Sequence, residues 1–325
     1  MLYSRGLRFL AKSLLSCLVL VSSVAMAAEP KVVVSIKPLE LIASAITDGV
    51  TTPELLLQPG TSPHNYSLKP SDIQKLASAN VVFWIGEDLE GFLEAPLQHY
   101  ASDAKSIELM HAPDMKIQRF SSAKADDHED HDHASHAAHI ESDHGGHHHH
   151  GIYDPHVWLS PDNAIAMAAA MTQTLSEIDK DNADVYKANY SHFAEIVKKA
   201  DATNKNLLSD LHDKGFFVFH DGWGYFTHHY DLKVLDVFTL SPEQQPGARH
   251  MLQLRNKLKD AGQTCVFREP QFHPAYLATM VDKLPVKVDV IDPLASEVLV
   301  QPRSYPEYLT QLSTTIQGCL TLSHS

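Results

Sequence analysis

Cysteine is scarce in this chain, three in 325 residues, and no CxxC pair or Cys/His cluster occurs, which argues against a cysteine-based metal module. The HExxH helix motif of zinc hydrolases is missing as well. Beyond residue 28 no stretch reaches the roughly 18 uninterrupted apolar residues that a membrane-spanning helix needs. Basic residues are outnumbered, 26 against 40 acidic, for a formal charge of −14, and no Lys/Arg block follows the first dozen positions. Nucleic acid and anionic membrane surfaces are therefore excluded as natural partners, and cations become the favoured ligands.

The first 28 residues have the form of an export signal. Arg5, Arg8 and Lys12 precede "LLSCLVLVSSVAMA", and Ala25-Met26-Ala27 supplies a small-residue site with cleavage expected near Ala27/Ala28. Cys17 stands in a loose lipobox-like context, but inside the apolar run and ten positions before that site. Loss of the leader removes three cations and takes the charge from −14 to about −17. Two cysteines then remain, Cys265 and Cys319, and an oxidising compartment favours their pairing over a cysteine-containing metal site. A bond closing so long a loop contributes roughly 3 to 4 kcal/mol by restricting the unfolded chain.

What is present is an alternation. "KVVVSI", "PELLLQ", "VVFWIG" and "KSIELM" have the continuous apolar look of strands buried on both faces. Between them run the helical patterns "PLELIASAIT", "PSDIQKLASA" and "LEGFLEAPLQHY", with Ser71 and Gln74 spaced as a capping box. "FFVFH", "KVLDVF", "TCVFRE" and "VKVDVID" repeat the pattern later, with helices expected around 223–230, 246–261, 273–283 and 305–319. The expected fold is α/β: two parallel-sheet lobes, residues 29–180 and 215–325, joined by one long rigid helix over 181–214. That helix places Val185, Ala188, Phe193, Val197, Ala200, Leu207 and Leu211 near one stripe.

From about 112 to 152 the apolar period dissolves, and the segment reads as a disordered insertion in the first lobe. Within it, residues 128–150 hold ten histidines and five carboxylates: His128, His131, His133, His136, His139, His144, His147, His148, His149 and His150. A solvated charged loop is one reading. An auxiliary metal collector is the favoured one, since histidine and carboxylate on a mobile chain bind metal ions weakly in several arrangements.

In open α/β lobes ligands bind beyond the carboxyl ends of strands, and four polar residues stand at such places. His64 lies in the strand-to-helix turn "QPGTSPHNYS", His156 in "DPHVWLSP" where prolines fix the backbone, His220 at the end of "FFVFH", and Asp292 after "VKVDVI". Taken singly, His64 is equally a surface histidine, His156 equally a structural one, and Asp292 equally a turn residue before Pro293. Taken together, three neutral imidazoles and a carboxylate suit tetrahedral Zn²⁺. Two such groups from each lobe would place the ion between them.

At these residues the chain resembles the zinc-binding proteins of high-affinity zinc ABC importers, within the metal-specific solute-binding proteins. "PHNYSLKPSD", the His-rich insertion, "PHVWLSP", "FFVFHDGWGYF", "QPGAR", "TCVFREPQF" and "IDPL" carry the resemblance in that order. It implies two α/β lobes on a rigid helix, Zn²⁺ as the transported ligand held by His64, His156 and His220, and Asp292 or water in the fourth place. It further implies a disulfide, a periplasmic location and a membrane permease as partner. A monomer is expected. Some zinc-specific members carry a glutamate directly before the first histidine, whereas Pro63 stands here. Two other readings compete: a zinc hydrolase with Asp221 or Glu269 as base, and a metal buffer or adhesin.

Overall fold

Residues 29–120, 152–239, 246–272 and 275–322 are described by a computed structural model of the chain. Residues 1–28, read above as an export signal, and the histidines between 128 and 150 lie outside the described residues. The first four apolar runs become β1 (Val32–Val34), β2 (Glu54–Leu55), β3 (Val81–Trp84) and β4 (Lys105–Glu108), all parallel, in the order β2-β1-β3-β4. The later four become β5 (Gly215–His220), β6 (Lys233–Thr239), β7 (Thr264–Arg268) and β8 (Val286–Val290), also parallel, in the order β6-β5-β7-β8. Each lobe thus turns the same way twice, and its strand order reverses beside the first strand. β1, β3 and β7 are buried along all or nearly all their length, while the edge strands β4 and β8 are more exposed. Central strands covered on both faces need unbroken apolar runs, as these have.

The helices of the first lobe are α1 (Lys37–Ile46), α2 (Pro70–Ser78), α3 (Glu87–Glu90), α4 (Glu94–Tyr100) and α5 (Pro161–Ile178). "LEGFLEAPLQHY", expected as one helix, is divided by a 3₁₀ turn at Gly91–Leu93. The cap of α2 also differs from expectation. The helix starts at Pro70, and Asp72, not Gln74, accepts from the Lys69 amide at 2.8 Å. Proline at the first helical position moves the cap upstream of Ser71, because its fixed φ already suits a helix.

The linking helix α6 spans Ala183–Leu208, about 39 Å at 1.5 Å per residue, with 3₁₀ turns at Lys180–Asn182 and Ser209–Leu211 extending it. It packs against α5 of the first lobe and against α10 (Ser304–Leu322) of the second. Its buried residues are Tyr186, Phe193, Val197, Asn204 and Leu208, followed by Leu211. Val185 is exposed, so part of the expected stripe is shifted by one residue. The amphipathic pattern there is loose: an aromatic at 186 displaces the smaller Val185 from the interface.

The remaining helices of the second lobe are α7 (Gly224–His229), α8 (Ala248–Ala261) and α9 (Ala275–Val281). One apolar core runs continuously from β1 and β3 through α5 and α6 to β5, β7 and α10. A smaller one fills the other face of the second sheet, between Phe217, Phe238 and Leu254. Cys265 on β7 is bonded to Cys319 on α10 with an S–S distance of 2.04 Å across 54 residues, tying the last helix to the sheet. Closure of that loop is worth roughly 4 kcal/mol in the chain-entropy account. Among the described residues no helix is long and apolar enough to cross a membrane.

The reversal point of each sheet holds a buried carboxylate. In the first lobe it is Glu90, which accepts from Ser35 Oγ just past β1 and from the Ile85 and Gly86 amides just past β3 at 2.9 and 3.1 Å. Burial pushes its carboxyl up from 4.5 to about 7, against the opposing pull of those donors. The folded chain therefore keeps the proton that the unfolded chain releases near pH 4.5. Stability from this group is complete below that pH and is lost as pH rises through about 7, on the order of 3 kcal/mol. Glu90→Gln should consequently gain stability over the native protein at pH 8 and show no such gain at pH 4, as read by urea unfolding of the zinc-free protein.

Candidate metal centre

Three segments converge between the lobes. His64 lies in the turn that leads from β2 to α2, where Tyr66 Oη and the Lys69 amide both donate to Asp72 and so fix the chain just beyond it. His156 precedes a 3₁₀ turn at Val157–Leu159 and the N-terminus of α5, whose cap Ser160 accepts from the Asn163 amide at 3.3 Å. His220 is the last residue of β5. One ligand atom from each of the three lies within 4.8 Å of the others, and this is the only such group of histidine, cysteine and carboxylate among the described residues. Ring centroids stand 5.4 Å (His64–His156), 5.9 Å (His64–His220) and 4.9 Å (His156–His220) apart.

Two rings are aimed by buried acids. Asp154 Oδ1 lies 2.7 Å from His156 Nδ1, and Glu269 Oε1 lies 2.5 Å from His220 Nδ1. With each acid ionised and accepting from Nδ1, a neutral ring is left with its Nε2 lone pair facing inward. The two Nε2 atoms face each other at 3.1 Å. Two lone pairs at that separation repel unless a cation or proton lies between them. Tetrahedral Zn²⁺ with Zn–N bonds of about 2.0 to 2.1 Å spaces its ligand nitrogens about 3.3 Å apart, so the pair is nearly set for it. Gly222 leaves the room: a Cβ there would stand 2.3 Å from His220 Nε2 and 2.9 Å from His156 Nε2.

The electrostatics agree with ligation. His156 and His220 are 2% and 3% exposed. Burial, reinforced by His220, holds His156 well below the ordinary histidine range and so neutral. For His220 burial acts in the same sense, but the adjoining Glu269 carboxylate outweighs it and raises the ring overall. Burial likewise pushes Asp154 up to about 7. A divalent ion at the inward nitrogens would favour neutral rings and ionised acids, resolving the conflict between burial and charge in one step.

Asp292, expected as a fourth ligand, is not drawn into this group. Its Oδ1 accepts from Gln271 Nε2 at 2.8 Å and the Leu294 amide at 3.0 Å, and its Oδ2 from the Ser296 amide at 2.6 Å. An aspartate two residues past a strand and followed by proline is well placed to organise the next turn, and here it does so. Glu269, considered above as a hydrolytic base, is occupied by His220 and, at 3.4 Å, Trp223 Nε1. His229 is paired with Asp201 at 2.7 Å. Asp154 was missed from sequence, although an acid two residues before a histidine on a proline-fixed segment is a local signal for it. Glu269 could be assigned to His220 only once β7 was known to adjoin β5. Asp154→Ala or Glu269→Gln should weaken zinc binding by about 10- to 100-fold without loss of fold, measured by competition with a chelator of known affinity.

Residues 32–319 match the family described as zinc-uptake complex component A, periplasmic. The high-affinity zinc uptake system protein ZnuA of Yersinia pestis is 38% identical over 313 residues, spanning 96% of this chain and 98% of that protein. Its namesake from Brucella suis is 39% identical over 308 residues, spanning 89% and 91%. Among solved structures, the periplasmic zinc binding protein TroA from Treponema pallidum superimposes with a TM-score of 0.73 at 18% identity, over 90% of this chain and 99% of its own, a likeness of fold. With the shared sequence running from β1 into α10, the chain belongs to the family of periplasmic zinc-uptake component A.

Proposed function

We propose that the protein is the solute-binding component of a zinc importer, taking up Zn²⁺ between its lobes and delivering it to a membrane permease of the ABC type. The observation that carries this reading is the pair of inward Nε2 atoms at 3.1 Å, each backed by a buried carboxylate on its Nδ1. His64, His156 and His220 supply three ligands, and the fourth place is left to water. Coordination, not catalysis, is the chemistry. The names and length of the Yersinia and Brucella relatives support the same assignment.

Delivery requires that the ion be held and then let go. α6 packs on helices of both lobes, so the ligand-bearing turns, His64's above all, are the parts free to shift on release. The lobes themselves are expected to swing little. The leader directs export to the periplasm, where Cys265 and Cys319 can pair, and the histidines between 128 and 150 serve as an auxiliary zinc collector. Their role follows from composition: many weak ligands on one chain raise the local supply of the ion.

Growth in zinc-depleted medium tests the function. A strain lacking the protein should fail there, be restored by the native gene, and not be restored by His220→Ala. In calorimetry that variant should lose more than about 100-fold in zinc affinity, beyond the range for an orienting partner. Deletion of residues 121–150 should instead keep one tight site and lower the zinc stoichiometry. Loss of the tightest site in the deletion would reverse the ranking of trio and collector.

A further inference from the structure

The turn after β8 is built to a strict geometry beside the histidines. Asp292 pins it from within, accepting from the Leu294 and Ser296 amides and from Gln271. The Pro293 carbonyl accepts from Trp158 Nε1 and from Tyr308 Oη, both at 2.7 Å. Trp158 belongs to the first lobe and follows His156 by two residues, so one carbonyl of the second lobe is fastened across the seam. Ala295 is held at φ +51° while 1% exposed. A buried alanine keeps a left-handed backbone only where its surroundings over-determine it, and such places cluster at binding sites.

This turn presents Leu294, 8% exposed, into the seam. Its side chain lines the cavity of the histidine trio and also the adjoining one formed with Leu57, Gln58 and Thr61, the stretch that leads into His64. His156 and His220 are buried, whereas His64 is half-buried, so the ion's way out lies on the His64 side. An apolar residue that lines the same two cavities as the backbone on either side of this ligand is placed to limit how far it can swing away.

We propose that Leu294 is a positioning residue for zinc retention, buttressing the His64 turn so that escape from the trio is slow. The proposal rests on the reading that the trio holds zinc. Zinc release from the full chain into excess chelator, followed by stopped flow, tests it in the native protein, Leu294→Ala, Leu294→Met and His220→Ala.

Leu294→Ala should release zinc about tenfold faster with association changed less than about twofold, since such substitutions act mainly on the off-rate. Leu294→Met, of similar volume, should return the rate to near native. A native off-rate in Leu294→Ala, or a slowed association that accounts for the lost affinity, would overturn the proposal. Should Leu294→Ala not fold, Leu294→Val carries the same criteria with a smaller expected acceleration. If His220→Ala binds and releases zinc as the native protein does, the zinc reading itself fails, whatever Leu294 does.

Discussion

Two imidazole nitrogens held 3.1 Å apart and facing each other are the constraint on which the rest of this structure depends. The pair needs a proton or a cation between its nitrogens. It persists because Asp154 and Glu269 fix the outer nitrogen of each ring, and because burial prevents water from relaxing the pair. Everything nearby serves that placement. Trp158 packs on His156 with ring centroids 5.2 Å apart, the 3₁₀ turn and α5 anchor its backbone, and β5 delivers His220 from a strand buried along nearly all its length. A binding protein needs such preorganisation, since ligands ordered before the ion arrives do not lose their freedom at the moment of capture.

The two lobes use one topology for different ends. In each sheet the strand order reverses beside the first strand, opening a crevice at the carboxyl edge where an acid can be buried against backbone and side-chain donors. In the first lobe Glu90 fills that crevice and ties β1 to β3 through Ser35, Ile85 and Gly86. In the second, Glu269 faces His220, and the acid serves a ligand instead of the sheet.

Much of this architecture was legible in the linear order of residues. Buried parallel strands require unbroken apolar runs, and the β-rich stretches fell where expected, though β2 shrank to two residues and one anticipated helix split at Gly91. The stripe of α6 was harder to read, since a long amphipathic helix touching two lobes carries no sharp face, and Tyr186 outcompeted Val185 for burial. The three histidines could be picked out because each stands at a strand end or in a proline-fixed turn. The carboxylates behind them are a different matter: Asp154 is near its ring in sequence, but Glu269 lies 49 residues from His220 and reaches it only through strand pairing.

By itself the sequence determined the α/β class and the preference for a cation, and it singled out the three imidazoles, because each rests on local pattern or composition. Only the tertiary structure decided which acid stands behind which ring, that Asp292 accepts from the turn that follows it, and that Leu294 lines the cavity of the trio. The reason is physical. A residue's type and its neighbours along the chain fix what it can donate or accept, but the partner that takes up that capacity is set by which strands and turns the packed core brings within about 3 Å.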